Sequence, residues 1–214
     1  MNFDVETLFA GGRLCLDFIN TSCERRGVKL EFLGNAEELR QWLCSAEAVG
    51  KKQLCGADEV WSAEYGEDML SRAIELRNAL RDLVLGVIEG NSASPAAIET
   101  VNAVLRENPA CLQIGQGHDG FQGSTLMSHP DNGWLAQIAQ DAVDLLCHSD
   151  LSLLRQCECP SCVRVFYDST KNHKRRWCVE KCGSRPKAAA YYRRKVVRAA
   201  QVNQERALRA NRES

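Results

Sequence analysis

Five of the chain's eleven cysteines fall within 26 residues, at positions 157, 159, 162, 178 and 182 of "CECPSCVRVFYDSTKNHKRRWCVEKC". A zinc site needs four deprotonated ligands in a tetrahedron, and two close pairs of thiolates, each in a turn, supply them economically. Cys178 and Cys182, with three residues between them, form one pair. Cys162 forms the other with Cys159 (two residues between) or with Cys157 (four between), and the 15 residues from Cys162 to Cys178 are enough for a hairpin to bring the chain back. Residues 155–187 supply few sizeable apolar groups, among them Val163, Val165, Phe166, Trp177 and Val179. Without a metal so small a module could not offset its ordering entropy. Four thiolates also close the coordination sphere and leave no position for water, so the expectation is one structural zinc and no catalytic metal. An iron–sulfur cluster is the minor alternative. His173, beside Lys174 and Arg175 in the expected loop tip, reads as solvated, and Trp177 as the core of the segment. The scattered Cys15, Cys23, Cys44, Cys55, Cys111 and Cys147 read as small buried hydrophobes.

Clustered thiols in place of a disulfide framework imply a reducing compartment. Asp4 and Glu6 stand where a signal peptide would carry positive charge, and no apolar run approaches a membrane span, so a soluble cytoplasmic protein without membrane contact is expected. The net charge of −1 conceals a division. Residues 151–214 hold 16 Lys and Arg against 5 Asp and Glu, net +11, and residues 1–150 hold 11 against 23, net −12. Such asymmetry implies a basic module that meets a polyanion, attached to an acidic body with another task.

The elements that must position these residues are mainly helical. "NAEELRQWLCSAEA" has Asn35 as N-cap and Leu39, Trp42, Leu43 and Ala46 at helical spacing, and "LSRAIELRNALRDLVLGVIEG" repeats the pattern with Ala73, Leu76, Leu80, Leu83, Val84 and Val87. "NSASPAAIETVNAVLREN" places Ser94 at N-cap and Pro95 at the first helical position, and "NGWLAQIAQDAVDLLCHSD" puts Leu135, Ile138, Ala142, Leu145 and Leu146 on one face. Residues 111–129, with four glycines and weak alternation, predict a short β-hairpin or a mobile loop. Pro186 suits the start of a long C-terminal helix with Lys187, Arg194, Arg198, Arg209 and Arg212 on one side and Ala189, Tyr192, Val196, Ala199, Ala200 and Ala207 on the other. The fold class expected is therefore mainly α: a helical N-terminal domain with a short β-hairpin over 1–150, and a small zinc finger leading into a basic helix over 151–214.

"CECPSCVRVFYDSTKNHKRRWCVEKCGSRPKAAAYYRRK" resembles the zinc finger named for its CGNR motif, with Cys157, Cys162, Phe166, Asp168, Asn172, Arg175, Arg176, Trp177, Cys178, Cys182, Gly183, Arg185 and Lys187 at the matching positions. "AGGRLCLDFINT" resembles the opening of the ABATE domain, which precedes that finger in many bacterial proteins, and together the two resemblances cover nearly the whole chain. The resemblance implies Cys157, Cys162, Cys178 and Cys182 as ligands, since Pro160 then falls where the family tends to have proline. Ser184 replaces the Asn of CGNR, and three residues separate the second pair where the family pattern has four; the shorter turn could bring Cys159 into the site. The resemblance implies a bacterial transcription regulator, stress-linked.

The cations Arg164, Lys171, Lys174, Arg175, Arg176 and Arg185 would extend the helix's basic strip along a phosphate backbone, with Arg175, Arg176, Arg185, Lys187, Arg194 and Arg198 as the nucleic-acid-binding set and DNA ahead of RNA as the partner. Asn172 is expected to close the turn after Asp168, and one of the arginines to brace that carboxylate. In the body, Arg13, Asp17 and Asn20 either satisfy backbone groups in a buried turn or line a small-molecule effector pocket. The chain carries no nucleophile–base motif and no phosphate-cradling glycine loop, so no enzyme is expected. The alternative to a nucleic-acid-binding regulator is an interaction adaptor whose finger binds an acidic protein. The zinc segment is expected to unfold on chelation while the helical body is spared.

Overall fold

A computed structural model describes residues 8–25, 28–50, 63–117, 120–127 and 133–184. Helix α1 (Leu14–Ile19) is buried on every side, Asp17 included, as a short segment must be when apolar residues occupy most of its circumference. It leads into an antiparallel hairpin, β1 (Ser22–Arg25) with β2 (Val28–Glu31), in the register Ser22↔Glu31 to Arg25↔Val28. Charges at Glu24, Arg25 and Lys29 hide this hairpin from an alternation reading. Tertiary contacts hold it. Arg77, 3% exposed, forks onto Glu31 through Nη1 (2.5 Å) and Nη2 (2.8 Å) and donates to Thr21 Oγ1 at 3.1 Å.

Helix α2 (Ala36–Ala48) begins at Asn35, whose Oδ1 accepts from Glu38 N at 2.9 Å, and buries Leu39, Trp42, Leu43 and Ala46 as the spacing predicts. The 27-residue α3 (Ala63–Glu89) is the spine, about 40 Å long at the usual helical rise. It packs against α1 and α2, and also against α4 (Pro95–Glu107) and α5 (Gly133–His148). The Ser94 cap and Pro95 start are as expected, and Leu135, Ile138, Ala142 and Leu145 are buried, with Leu146 half-buried. Residues 110–127 form a hairpin, β3 (Ala110–Gly117) with β4 (Gly120–Met127). No described helix is long and apolar enough to cross a membrane. The architecture is mainly α, with three two-stranded sheets among the described residues.

After a single 3-10 turn at Leu151–Leu153, strand β5 (Leu154–Gln156) pairs antiparallel with β6 (Val165–Tyr167). The period of two along β6 divides its side chains between two cores. Val165 joins the main apolar cluster of α1 to α5, together with Leu154, and Tyr167 packs at its border. Phe166 points to the other face, into a separate cluster formed with Cys157, Cys159, Cys178 and Cys182.

Candidate metal centre

Each sulfur of that second cluster is set by backbone geometry. Cys157 follows β5 and its N–H donates to Arg164 O at 2.8 Å, continuing the ladder one step past the strand. Cys162 N donates to Cys159 O at 2.9 Å and Cys182 N to Val179 O at 3.0 Å, so each pair sits on a tight turn. The two turns meet where Cys178 N donates to Cys157 Sγ at 3.4 Å. The Sγ atoms of Cys157, Cys162, Cys178 and Cys182 all lie within 4.8 Å of one another, and the Cys162–Cys178 and Cys178–Cys182 separations are both 3.7 Å. A tetrahedron with zinc–sulfur bonds of the usual length has sulfur–sulfur edges of about 3.8 Å, which those two separations match, and a contraction of at most about 1 Å brings the others to it.

The protonation of the thiols agrees. Hydrogen bonds from the Cys162 and Cys178 thiols hold Cys157 down to about 2, while the bond to Cys157 pushes Cys162 up. Cys178 is driven well up by its bonds to Cys157 and Cys162, and burial and the neighbouring sulfur charge raise Cys182 to about 12. Four sulfurs this close cannot all ionise unless a cation joins them. A zinc ion held there supplies structure and no open coordination position.

Cys159 is buried beside this quartet but its sulfur faces Ser161 Oγ at 3.5 Å, so the alternative left open by the shorter second turn is resolved in favour of Cys157. His173 is exposed, with Nδ1 3.2 Å from Asp168 O, away from the sulfurs. Trp177 packs on the cluster, half-buried. Its indole lies so close over Gly183 that a Cβ there would stand 2.7 Å from Trp177 Cε3, which explains the glycine after Cys182.

The described arginines of the finger have partners within the chain. Arg175 donates through Nε to Trp177 O (3.0 Å) and through Nη2 to Ala10 O (2.9 Å) and Cys178 O, with its guanidinium 4.5 Å over the Phe166 ring. It is a brace between the sulfur cluster and the chain before α1. Arg164 is 6% exposed and donates to the Cys23 sulfur. Arg176 is exposed but is engaged by Glu158 through Nε at 2.6 Å and lies 5.2 Å over Trp177. Asp168, fully buried, accepts from Thr170 N, Thr170 Oγ1 and Arg175 N, with the Arg155 guanidinium as its arginine ion-pair partner, and Asn172 is left at the exposed tip. Arg185, Lys187, Arg194, Arg198 and the expected C-terminal helix lie outside the described residues, as does Cys55.

Arg13, Asp17 and Asn20 each engage other parts of the chain. Asp17 Oδ1 accepts from Gly11 N at 2.7 Å, which folds the turn before α1, and Arg13 Nε lies 3.4 Å from Asp141 Oδ1 of α5. Asp141 Oδ2 also accepts from Cys15 N at 2.9 Å. Asn20 reaches the outer edge of β6: Nδ2 donates to Val165 O at 2.8 Å and Oδ1 accepts from Val165 N at 3.0 Å. Two residues on, Tyr167 N donates to Gly11 O at 2.8 Å. Gly12 has φ +82°, and a Cβ there would approach Tyr167 O to 3.1 Å. The segment 10–20 is thus the seat of the finger, a contact that the expectation of a helical body spared on chelation did not include. Sequence reasoning passed over Gly11, Gly12 and Asp141; adjacent glycines directly before an all-buried helix were the available signal.

The chain matches the ABATE family, described as "Putative stress-induced transcription regulator", over residues 12–149, and the CGNR zinc finger over residues 154–195. No curated protein matches it.

Proposed function

The chain belongs to the ABATE family and carries a CGNR zinc finger, and from that premise we propose that it is a zinc-dependent DNA-binding transcription regulator whose helical domain passes the binding of a ligand or partner to the finger. The observation that carries the reading is the four-thiolate quartet, which folds the start of a segment of net +11. A metal that only shapes the chain, placed at the head of a basic module, serves recognition of a polyanion.

The seat of the finger supports the second half of the reading. Helix α1 touches α5 through Cys15 and Asp141, and touches β6 through Asn20 and Val165, so a rearrangement in the helical domain has a direct route to the sulfur cluster. The test is binding of zinc-loaded full-length protein to duplex DNA and to single-stranded RNA across a salt series, with an acidic protein as competitor. Binding that weakens steeply with salt, favours DNA and is lost on chelation is the expected result. Capture by the acidic protein with no nucleic-acid binding would replace this reading with an adaptor.

A further inference from the structure

Five of the six finger cations expected to meet a polyanion lie among the described residues, and they separate into two groups. Arg164 is buried, Arg175 is committed to backbone carbonyls, and Arg176 is paired with Glu158. Lys171 and Lys174 are exposed, and neither makes a hydrogen bond or ion pair to another described residue.

Both lysines sit on one loop, residues 169–174, which contains no apolar side chain. A solvated loop of this composition would ordinarily be loose, yet its base is tightly closed. Asp168 Oδ1 accepts from Thr170 N at 3.1 Å and Thr170 Oγ1 at 2.5 Å, and Oδ2 accepts from Arg175 N at 2.8 Å, so one buried carboxylate grips both ends of the loop. Arg155 Nε stands 3.8 Å from the same carboxylate, and its Nη2 donates to His173 O at 3.3 Å. His173 is held at φ +49°, a left-handed conformation uncommon outside glycine, with its ring against Asp168 O. Backbone held in a sparsely populated region by surrounding polar groups points to a loop whose shape is used.

We propose that the loop 169–174 is the finger's phosphate-contacting element, with Lys171 and Lys174 on the nucleic-acid backbone and Asn172 between them available to a base edge. Fixing the loop in advance removes the ordering cost that two flexible lysines would otherwise incur on binding. This assignment rests on the nucleic-acid-binding reading above and moves the finger's contacts from Arg175 and Arg176 to the tip.

The deciding experiment measures duplex-DNA affinity of the zinc-loaded full chain as a function of salt for the wild type, Lys171→Ala/Lys174→Ala and Lys171→Arg/Lys174→Arg. Loss of two phosphate contacts should reduce the magnitude of the log–log salt slope by about 1.8 in the alanine variant, while the arginine variant keeps the wild-type slope. Zinc content and melting temperature should be the same in all three. On the wild type itself, bound DNA should protect Lys171 and Lys174 from amine acylation. Wild-type binding with an unchanged slope in the alanine variant and no protection overturns the loop assignment alone. No binding by the wild type overturns both the assignment and the regulator reading.

Discussion

The side-chain amide of Asn20 closes both backbone groups of Val165, 145 residues away, donating from Nδ2 to its carbonyl at 2.8 Å and accepting its N–H on Oδ1 at 3.0 Å. Residues 164, 166 and 168 turn their backbone groups toward β5 and the turn before it, which leaves Val165 and Tyr167 to face outward. An exposed strand edge is a liability, and here the helical domain covers it with Asn20 and Gly11. The finger is therefore completed by a segment of the helical body.

Asn20→Ala should strip two buried backbone groups of their partners and destabilise the chain by about 2 to 4 kcal/mol, measured by denaturant unfolding. Asn20→Asp should recover only part of this loss, because a carboxylate can accept from Val165 N but must set a second oxygen against Val165 O. An aspartate variant as stable as the wild type would contradict the pairing.

Chelation should lower the melting temperature of the helical domain as well as unfold the sulfur cluster, because Val165 and Leu154 belong to the main core. Isotope-exchange protection at Leu14–Ile19 should fall with the metal. For the same reason a fragment beginning at residue 151 lacks the cover of β6 and should fold poorly even with zinc. Cys157→Ser should abolish stoichiometric zinc, while Cys159→Ser should retain it, since only the former sulfur lies in the quartet.

Gly183→Ala should weaken zinc retention with all four thiols intact. The added methyl would meet the Trp177 ring at 2.7 Å, and overpacking of this kind costs about 1 to 3 kcal/mol. Competition against a colorimetric chelator measures the effect, and wild-type retention in the alanine variant would rule out the contact.

Glu31 contributes stability that depends on pH. Burial pushes its carboxyl up, but hydrogen bonds and charge from Arg77 outweigh this and hold it below the ordinary carboxylate value. A depressed folded value means the unfolded chain takes up the proton first, so the contribution is complete above the ordinary value and is lost as pH falls through the folded one. Glu31→Ala should cost about 1 to 2 kcal/mol at neutral pH, less than a fully buried pair because Glu31 is a third exposed, since it leaves Arg77 without its anion. The gap between variant and wild type should narrow on acidification below about pH 4; a constant gap would exclude the ion pair as its source.

Short-range patterns were legible in the sequence by itself. The caps at Asn35 and Ser94, the buried faces of α2, α3 and α5 and a four-thiolate site follow from spacings of a few residues, which local geometry alone converts into structure, while residues 111–129 left a hairpin and a loop both open. Tertiary structure decided how the polar groups are partnered. Cys157 and Cys159 are equivalent as a spacing, and only the return of the chain at Cys178 distinguishes them. Arg13 and Asn20 show no partner in the sequence, because Asp141 and Val165 arrive from more than a hundred residues away. Arg164 and Arg175 look like surface cations because charge is visible in a sequence and carbonyl acceptors are not. A buried polar atom must find a partner, but its identity depends on which distant backbone is brought beside it, and that is a property of the packed chain.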